Sequence, residues 1–173
     1  MKNRAFTLIE LLVVVLIIGI LASIALPQYQ KAVMKTRYAS LKTLTRSIAD
    51  AEEVYYMANN KYSVDFEELD VQMPGGKLND SVNRSYKYGW GWCSLDNTEN
   101  ISSVSCTNSL IQMSYAIRLL HSAGRPGAIA CMARASSSEN DLQAQICKAE
   151  TGRTTPSVTS ADEGNRYTSY WYQ

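Results

Sequence analysis

An α+β fold, a long N-terminal helix packed on a small antiparallel sheet, is what the sequence predicts. Three observations lead there. Residues 6–27 form an apolar run, residues 28–58 repeat apolar side chains at helical spacing, and residues 59–173 alternate strand-like segments with turn signals and carry all four cysteines. The chain has 173 residues, 46% apolar and 19% charged, which suggests roughly one domain. Seventeen Lys and Arg face 16 Asp and Glu, a formal +1. That balance offers no basic surplus for nucleic-acid binding by counterion release and no acidic excess of the kind that keeps chains disordered. The averages hide an asymmetry. Glu10 is the one charge between Ala5 and Gln30. A uniform globular domain is excluded; an oily rod is joined to a polar head.

The run from Phe6 to Pro27 follows Lys2 and Arg4. A bilayer core of ~30 Å needs about 20 apolar helical residues, so this segment is long enough to span it. It is longer than the apolar core of a secretory signal, about 7–15 residues. Cations before the run, and none after it until Lys31, put the N-terminus in the cytoplasm and the head outside. A single-pass signal anchor explains this much. Glu10 needs more. A carboxylate in a hydrocarbon helix costs on the order of 2–3 kcal/mol. It either snorkels to the cytoplasmic interface or meets a cation from another chain, since no Lys or Arg stands on a later turn of the run.

Ala5-Phe6-Thr7-Leu8-Ile9-Glu10 followed by the apolar stretch resembles the class III prepilin signal of type IV pilins and type II secretion pseudopilins. The resemblance covers about 30 residues. It implies the pilin roll for the whole chain. It also implies that a prepilin peptidase removes the leader, residues 1–5, by cutting between Ala5 and Phe6, and that the new Phe6 amine is N-methylated. The family usually has Gly where this chain has Ala5, a small residue for which slower processing is expected. Loss of Lys2 and Arg4 takes the cations from 17 to 15 against 16 anions, so +1 becomes −1. In a filament, Glu10 of one subunit would then face the cationic Phe6 amine of its neighbour. Such a pair fixes register better than it adds net stability, because both charges lose water. Apolar helix packing supplies the cohesion.

Beyond Pro27, Leu41, Leu44, Ile48, Ala51, Tyr55 and Ala58 recur every three or four residues, with Tyr29 and Val33 extending the stripe backwards. Lys31, Lys35, Arg37, Lys42, Arg46, Asp50 and Glu52 are placed largely off it. One helix from about Phe6 to about Ala58 is expected, stopped by Asn59-Asn60. Pro27 and Gly19 weaken it. They match helix-weakening positions of the resembled family, and the stretch between them either unwinds on assembly or stays helical with a proline kink.

In the head (residues 59–173), Lys61 to Gly76 reads as a polar connector with an apolar patch at Phe66, Leu69 and Val71. Tyr86 to Cys93 reads as a strand or tight turn and Asp96-Asn97 as a turn. Ile111–Leu120 and Ala128–Ala133 read as strands, Glu139–Lys148 as a short helix, and the C-terminal NRYTSYWYQ as a late strand or ordered tail. About four or five strands result. Cys93, Cys106, Cys131 and Cys147 suggest two disulfides in an oxidising compartment. Of three connectivities, Cys93–Cys106 with Cys131–Cys147 is preferred because each closes a short loop. Zinc is disfavoured, as no Cys-x-x-Cys pair exists.

Nothing in the chain points to catalysis. No G-x-S-x-G, HExxH, phosphate-binding loop or G-x-G-x-x-G occurs. His121 is the one histidine and reads as structural. Asp65, Glu67, Glu68 and Asp70 lack the pattern of a calcium loop. The sequons at Asn83 and Asn100 carry little weight. No catalytic residue, metal or cofactor is expected.

The resemblance implies a structural subunit of a type IV pilus, with adhesion, twitching motility or DNA uptake as downstream uses. Its expected partners are copies of itself, the prepilin peptidase and methyltransferase, an assembly machinery and the inner membrane. No direct nucleic-acid site is expected. The precursor would be a single-pass inner-membrane protein and the mature form part of an extracellular filament. A pseudopilin of a type II secretion system is the first alternative. A signal-anchored extracytoplasmic binding protein or enzyme is the second.

Overall fold

The computed structural model describes residues 7–73, 75–78, 84–97, 101–134, 141–162 and 165–172. The chain divides into two compact units, 1–36 and 37–173. Helix α1 (Leu8–Asn59) is continuous, with Pro27 inside it. Asn60 ends it in the left-handed region, φ 53°, with its N–H 2.8 Å from the Tyr56 carbonyl. Asparagine tolerates that conformation better than most residues.

In the second unit, eight strands among the described residues form one antiparallel sheet. They are β1 (Lys77–Leu78), β2 (Ser85–Tyr88), β3 (Gly91–Asn97), β4 (Ser102–Asn108), β5 (Met113–Arg118), β6 (Ile129–Arg134), β7 (Val158–Asp162) and β8 (Asn165–Trp171). Their spatial order is β1-β2-β3-β4-β5-β6-β8-β7, a meander whose last hairpin turns β7 to the edge. Helix α2 (Leu142–Thr151) packs on β6 and β8. Gly152 closes it at φ 71°, the left-handed C-terminal cap that favours glycine.

One lateral row of the register explains the core. Tyr86, Cys93, Cys106, Tyr115, Cys131 and Tyr170 are successive partners across β2, β3, β4, β5, β6 and β8. Tyr38 of α1 meets Tyr115 edge-on at 6.0 Å between ring centres. The buried helix face is Tyr38, Leu41, Thr45, Ile48, Ala49 and Glu52. Each large apolar side chain buried there contributes about 1.5–3 kcal/mol. This face corrects the stripe expected from sequence. Leu44, Ala51 and Tyr55 flank it half-buried, Ala58 and Tyr29 are exposed, and Glu52 lies inside it. Apolar residues two or more positions round a helix still fall within a wide stripe, so periodicity leaves the central line undetermined.

The sheet is larger than the four or five strands expected. Asp96-Asn97 ends β3 instead of turning; α2 is described from Leu142, and Glu139, where the helix was expected to begin, lies outside the described residues. β4, SSVSCTN, was invisible as a strand because few of its residues are apolar. Val104 and Cys106 face the core, while Ser105 meets Ser94 at 2.9 Å and Thr107 meets Ser114 at 2.7 Å across the neighbouring strands. Cross-strand hydroxyl pairs stabilise a sheet in place of apolar alternation. Gly91 is required where β3 touches β4, because a Cβ there would overlap the Thr107 carbonyl.

Both disulfides are formed, Cys93–Cys106 between directly paired β3 and β4, and Cys131–Cys147 between β6 and α2. Lys42 of α1 contacts Glu150 of α2 at 2.6 Å, both partly exposed, which is worth at most about 1 kcal/mol.

Glu52 is fully buried. Its Oε2 accepts from the Ser63 N–H at 2.9 Å and its Oε1 from Asn97 Nδ2 at 3.1 Å, and Asn97 also donates to the Ser63 carbonyl. The carboxylate thus ties α1 to the following loop and to β3. Burial, chiefly, pushes its pKa up to about 7, opposed by those two hydrogen bonds and reinforced by Glu53 and Glu68. The folded state therefore holds a proton at Glu52 that the unfolded chain, near 4.5, has released. Between those two values the native state binds more protons, so stability is expected to fall as pH rises from about 4.5 to about 7. Glu52→Gln is expected to flatten that part of the profile, measured by denaturant titration at several pH values. An unchanged slope would show that another group sets it.

Candidate functional site

The leading turn of α1 and the apolar surface behind it form the candidate site. The helix begins with a reciprocal cap. Thr7 N–H donates to Glu10 Oε2 at 2.8 Å, the Thr7 hydroxyl donates to the same oxygen at 2.7 Å, and the Glu10 N–H points back to Thr7 Oγ1 at 3.3 Å. The first helical backbone bond, Leu11 N–H to the Thr7 carbonyl, is 3.3 Å. Thr-x-x-Glu with these contacts is a capping box, which satisfies donors that a helix start leaves without intrahelical partners. The pattern is legible in Thr7-Leu8-Ile9-Glu10, whose Thr-x-x-Glu spacing is its sequence signal. It supplies Glu10 with a partner in its own chain that is neither a cation nor bulk water.

Behind the cap, every residue from Leu8 to Gln30 is exposed, with Leu8 at 84%. The segment is long and apolar enough to cross a membrane by length and composition. Ser23 returns its hydroxyl to the Ile20 carbonyl at 2.7 Å, so this polar group adds little cost to an apolar environment. Gly19 leaves open space on the helix surface. Pro27 lacks the N–H that would continue the backbone ladder, yet the helix runs through it. Of the residues singled out from sequence, Glu10, Gly19 and Pro27 all lie on this one helix. Lys2, Arg4, Ala5 and Phe6, including the expected cleavage bond and methylated amine, lie outside the described residues, as do Asn83 and Asn100.

The remaining candidates have local structural partners. His121 is exposed and stacks on Tyr56 with ring centres 4.0 Å apart. The backbone beside it is held by Glu53, which accepts from the Leu120 N–H at 2.7 Å and from the Tyr62 hydroxyl at 3.0 Å. Asp65 caps the short 3-10 helix Phe66–Glu68 through the Glu67 N–H at 2.9 Å. Glu68 accepts from the Ser63 hydroxyl at 2.6 Å. Among the described residues no group of three His, Cys, Asp or Glu is placed to hold a metal ion.

Comparison with known proteins bears on this helix. Residues 1–26 match the prokaryotic N-terminal methylation motif. The type IV major pilin protein PilA of Myxococcus xanthus is 40% identical over 62 residues, 36% of this chain and 28% of the relative. A fimbrial protein of Pseudomonas aeruginosa is 40% identical over 86 residues, 43% of this chain and 56% of the relative. The type IV major fimbrial protein FimA of Dichelobacter nodosus is 41% identical over 59 residues, 34% of this chain and 37% of the relative. The chain thus spans at most 56% of the length of these three relatives. No solved structure matches significantly. An acid at the third position of a capped helix whose first half is exposed and apolar, a methylation motif over the same residues and pilins as relatives make the N-terminal part of this chain similar to that of type IV pilins.

Proposed function

We propose that the chain is the structural subunit of a type IV pilus, made as a membrane-anchored precursor and polymerised through α1. The observation that carries this reading is the exposed apolar face from Leu8 to Leu26 with its single acid at Glu10. Such a surface requires hydrocarbon or other helices around it. The precursor satisfies it with lipid, N-terminus inward and head outward. The filament satisfies it with the α1 helices of other subunits.

In this scheme the leader 1–5 is cut between Ala5 and Phe6, and Phe6 is methylated but keeps its positive charge. The membrane and filament-core segment is 6–27, the amphipathic segment 28–58 and the head 59–173. In the isolated chain Glu10 is held by Thr7, so it enters the membrane already hydrogen-bonded. On assembly the Phe6 amine of a neighbour adds a charge to that carboxylate and sets the axial register. Gly19 and Pro27 mark the stretch where the helix yields most readily. Partners are copies of the chain, the prepilin peptidase and methyltransferase, and an assembly machinery. The role is structural, not catalytic. The relatives named as pilins and fimbrial proteins favour a pilus over a secretion pseudopilus.

Mass spectrometry of the mature N-terminus tests the processing. A chain beginning at methylated Phe6 in sheared surface filaments is the expected result. Exported, assembled chain beginning at Met1 would overturn it, and confinement of the chain to a secretion apparatus would favour the pseudopilin.

A further inference from the structure

We propose that the head carries a binding site for a carboxylate-bearing sugar, formed by Arg118 and Arg125, which both lie over the Trp171 ring. The Arg118 and Arg125 guanidinium carbons lie 5.5 and 5.4 Å from the centre of the same Trp171 ring. A third cation, Arg153, donates from Nε to the Trp171 carbonyl at 2.9 Å. Two like charges collected on one indole repel each other, and no carboxylate of the described residues pairs with any of the three arginines. Among the described residues, these cations are thus held together with no intervening acid. The ring holds them by cation–π attraction and limits their motion before any ligand arrives.

Arg118 and Arg125 also line one shallow groove of about 380 Å³, with Ile101, Ala123 and Gly124. That volume suits a small ligand. Guanidinium groups match carboxylate geometry with two parallel hydrogen bonds. Ile101 and Ala123 add an apolar wall, and Gly124 brings backbone close to the groove. Together they suit the C–H face of a sugar ring. A long phosphate polymer fits less well. The chain carries a formal +1, and nucleic-acid affinity grows with the number of phosphates neutralised, which two or three arginines keep small. The site lies in the head and stands whether or not the chain polymerises.

The test uses the full chain in nonionic detergent micelles, titrated calorimetrically with trigalacturonate, with its neutral galactose counterpart and with mixed-sequence duplex DNA. Trigalacturonate is expected to bind and the neutral sugar not to. Arg125→Gln, on an exposed loop, is expected to weaken binding about tenfold, and Arg118→Gln with Arg125→Gln to abolish it. Lys87→Gln, on β2, is expected to change nothing. Thermal unfolding of each variant checks the fold, and if the double variant fails to fold, Arg125→Gln decides. Absence of trigalacturonate binding overturns the proposal. So does equal binding by folded Arg125→Gln, or displacement of the sugar by DNA, which would make the site one for phosphate polymers.

Discussion

Glu10→Gln is expected to insert into the membrane normally and to be lost from filaments. Glutamine at the third helical position still accepts from the Thr7 N–H, so the cap at the helix start survives. What disappears is the charge that would meet a neighbour's Phe6 amine. Leaving one member of a buried pair without its partner costs about 3–5 kcal/mol, which at equilibrium is more than a hundredfold against incorporation of each subunit. Glu10→Ala removes cap and charge together. Thr7→Val keeps the charge and removes the hydroxyl, a loss of about 0.5–2 kcal/mol in helix stability, and is expected still to polymerise. The readouts are chain in the membrane fraction and chain in sheared filaments, each by immunoblot. Normal filaments from Glu10→Gln would show that register is set elsewhere and that the acid serves the cap alone.

The paired change Cys131→Ser with Cys147→Ser is expected to destabilise the head by about 3 kcal/mol, the chain-entropy cost of opening a loop with a sequence separation of 16. For a chain of this size that corresponds to a fall of roughly 10 °C in the unfolding midpoint. The paired change at Cys93 and Cys106 opens a loop of nearly the same length, 13, yet a smaller effect is expected. There, β3 and β4 remain joined by a register of seven pairs that extends to both sides of the missing bond. Cys131–Cys147 instead anchors α2, whose other main contacts are with β6 and β8. Thermal unfolding followed by near-ultraviolet circular dichroism, on full chain in detergent, measures both. Equal losses would mean that α2 is held by its packing, through Ala144 and Ile146, as firmly as by sulfur.

Much of the architecture was legible in residue order. The apolar run, its single acid and the amphipathic continuation are properties of consecutive residues, and a helix turns such a run into a surface without help from the remainder of the chain. The strands β5, β6 and β8 announced themselves through apolar and aromatic side chains. The pairing of the cysteines followed from loop length. β4 escaped because hydroxyl pairs replace apolar contacts on its outer face, and such pairs exist only once β3 and β5 lie beside it. The cap at Thr7 is local, and its Thr-x-x-Glu spacing lies in consecutive residues.

Glu52 and the arginines around Trp171 mark where residue order runs out. A charged residue on an amphipathic helix is assigned to water because ionised groups pay heavily for burial. The loop after α1 and strand β3 instead bring Ser63 and Asn97, 11 and 45 positions away, to the Glu52 carboxylate and make burial tolerable. Arg118, Arg125 and Trp171 are likewise scattered in the chain and gathered by the β5-β6-β8 pairing. Runs and periods settle the apolar surface of α1, since it is made of neighbours in sequence. The buried acid and the cationic groove depend on contacts between distant segments, which exist only in the folded head.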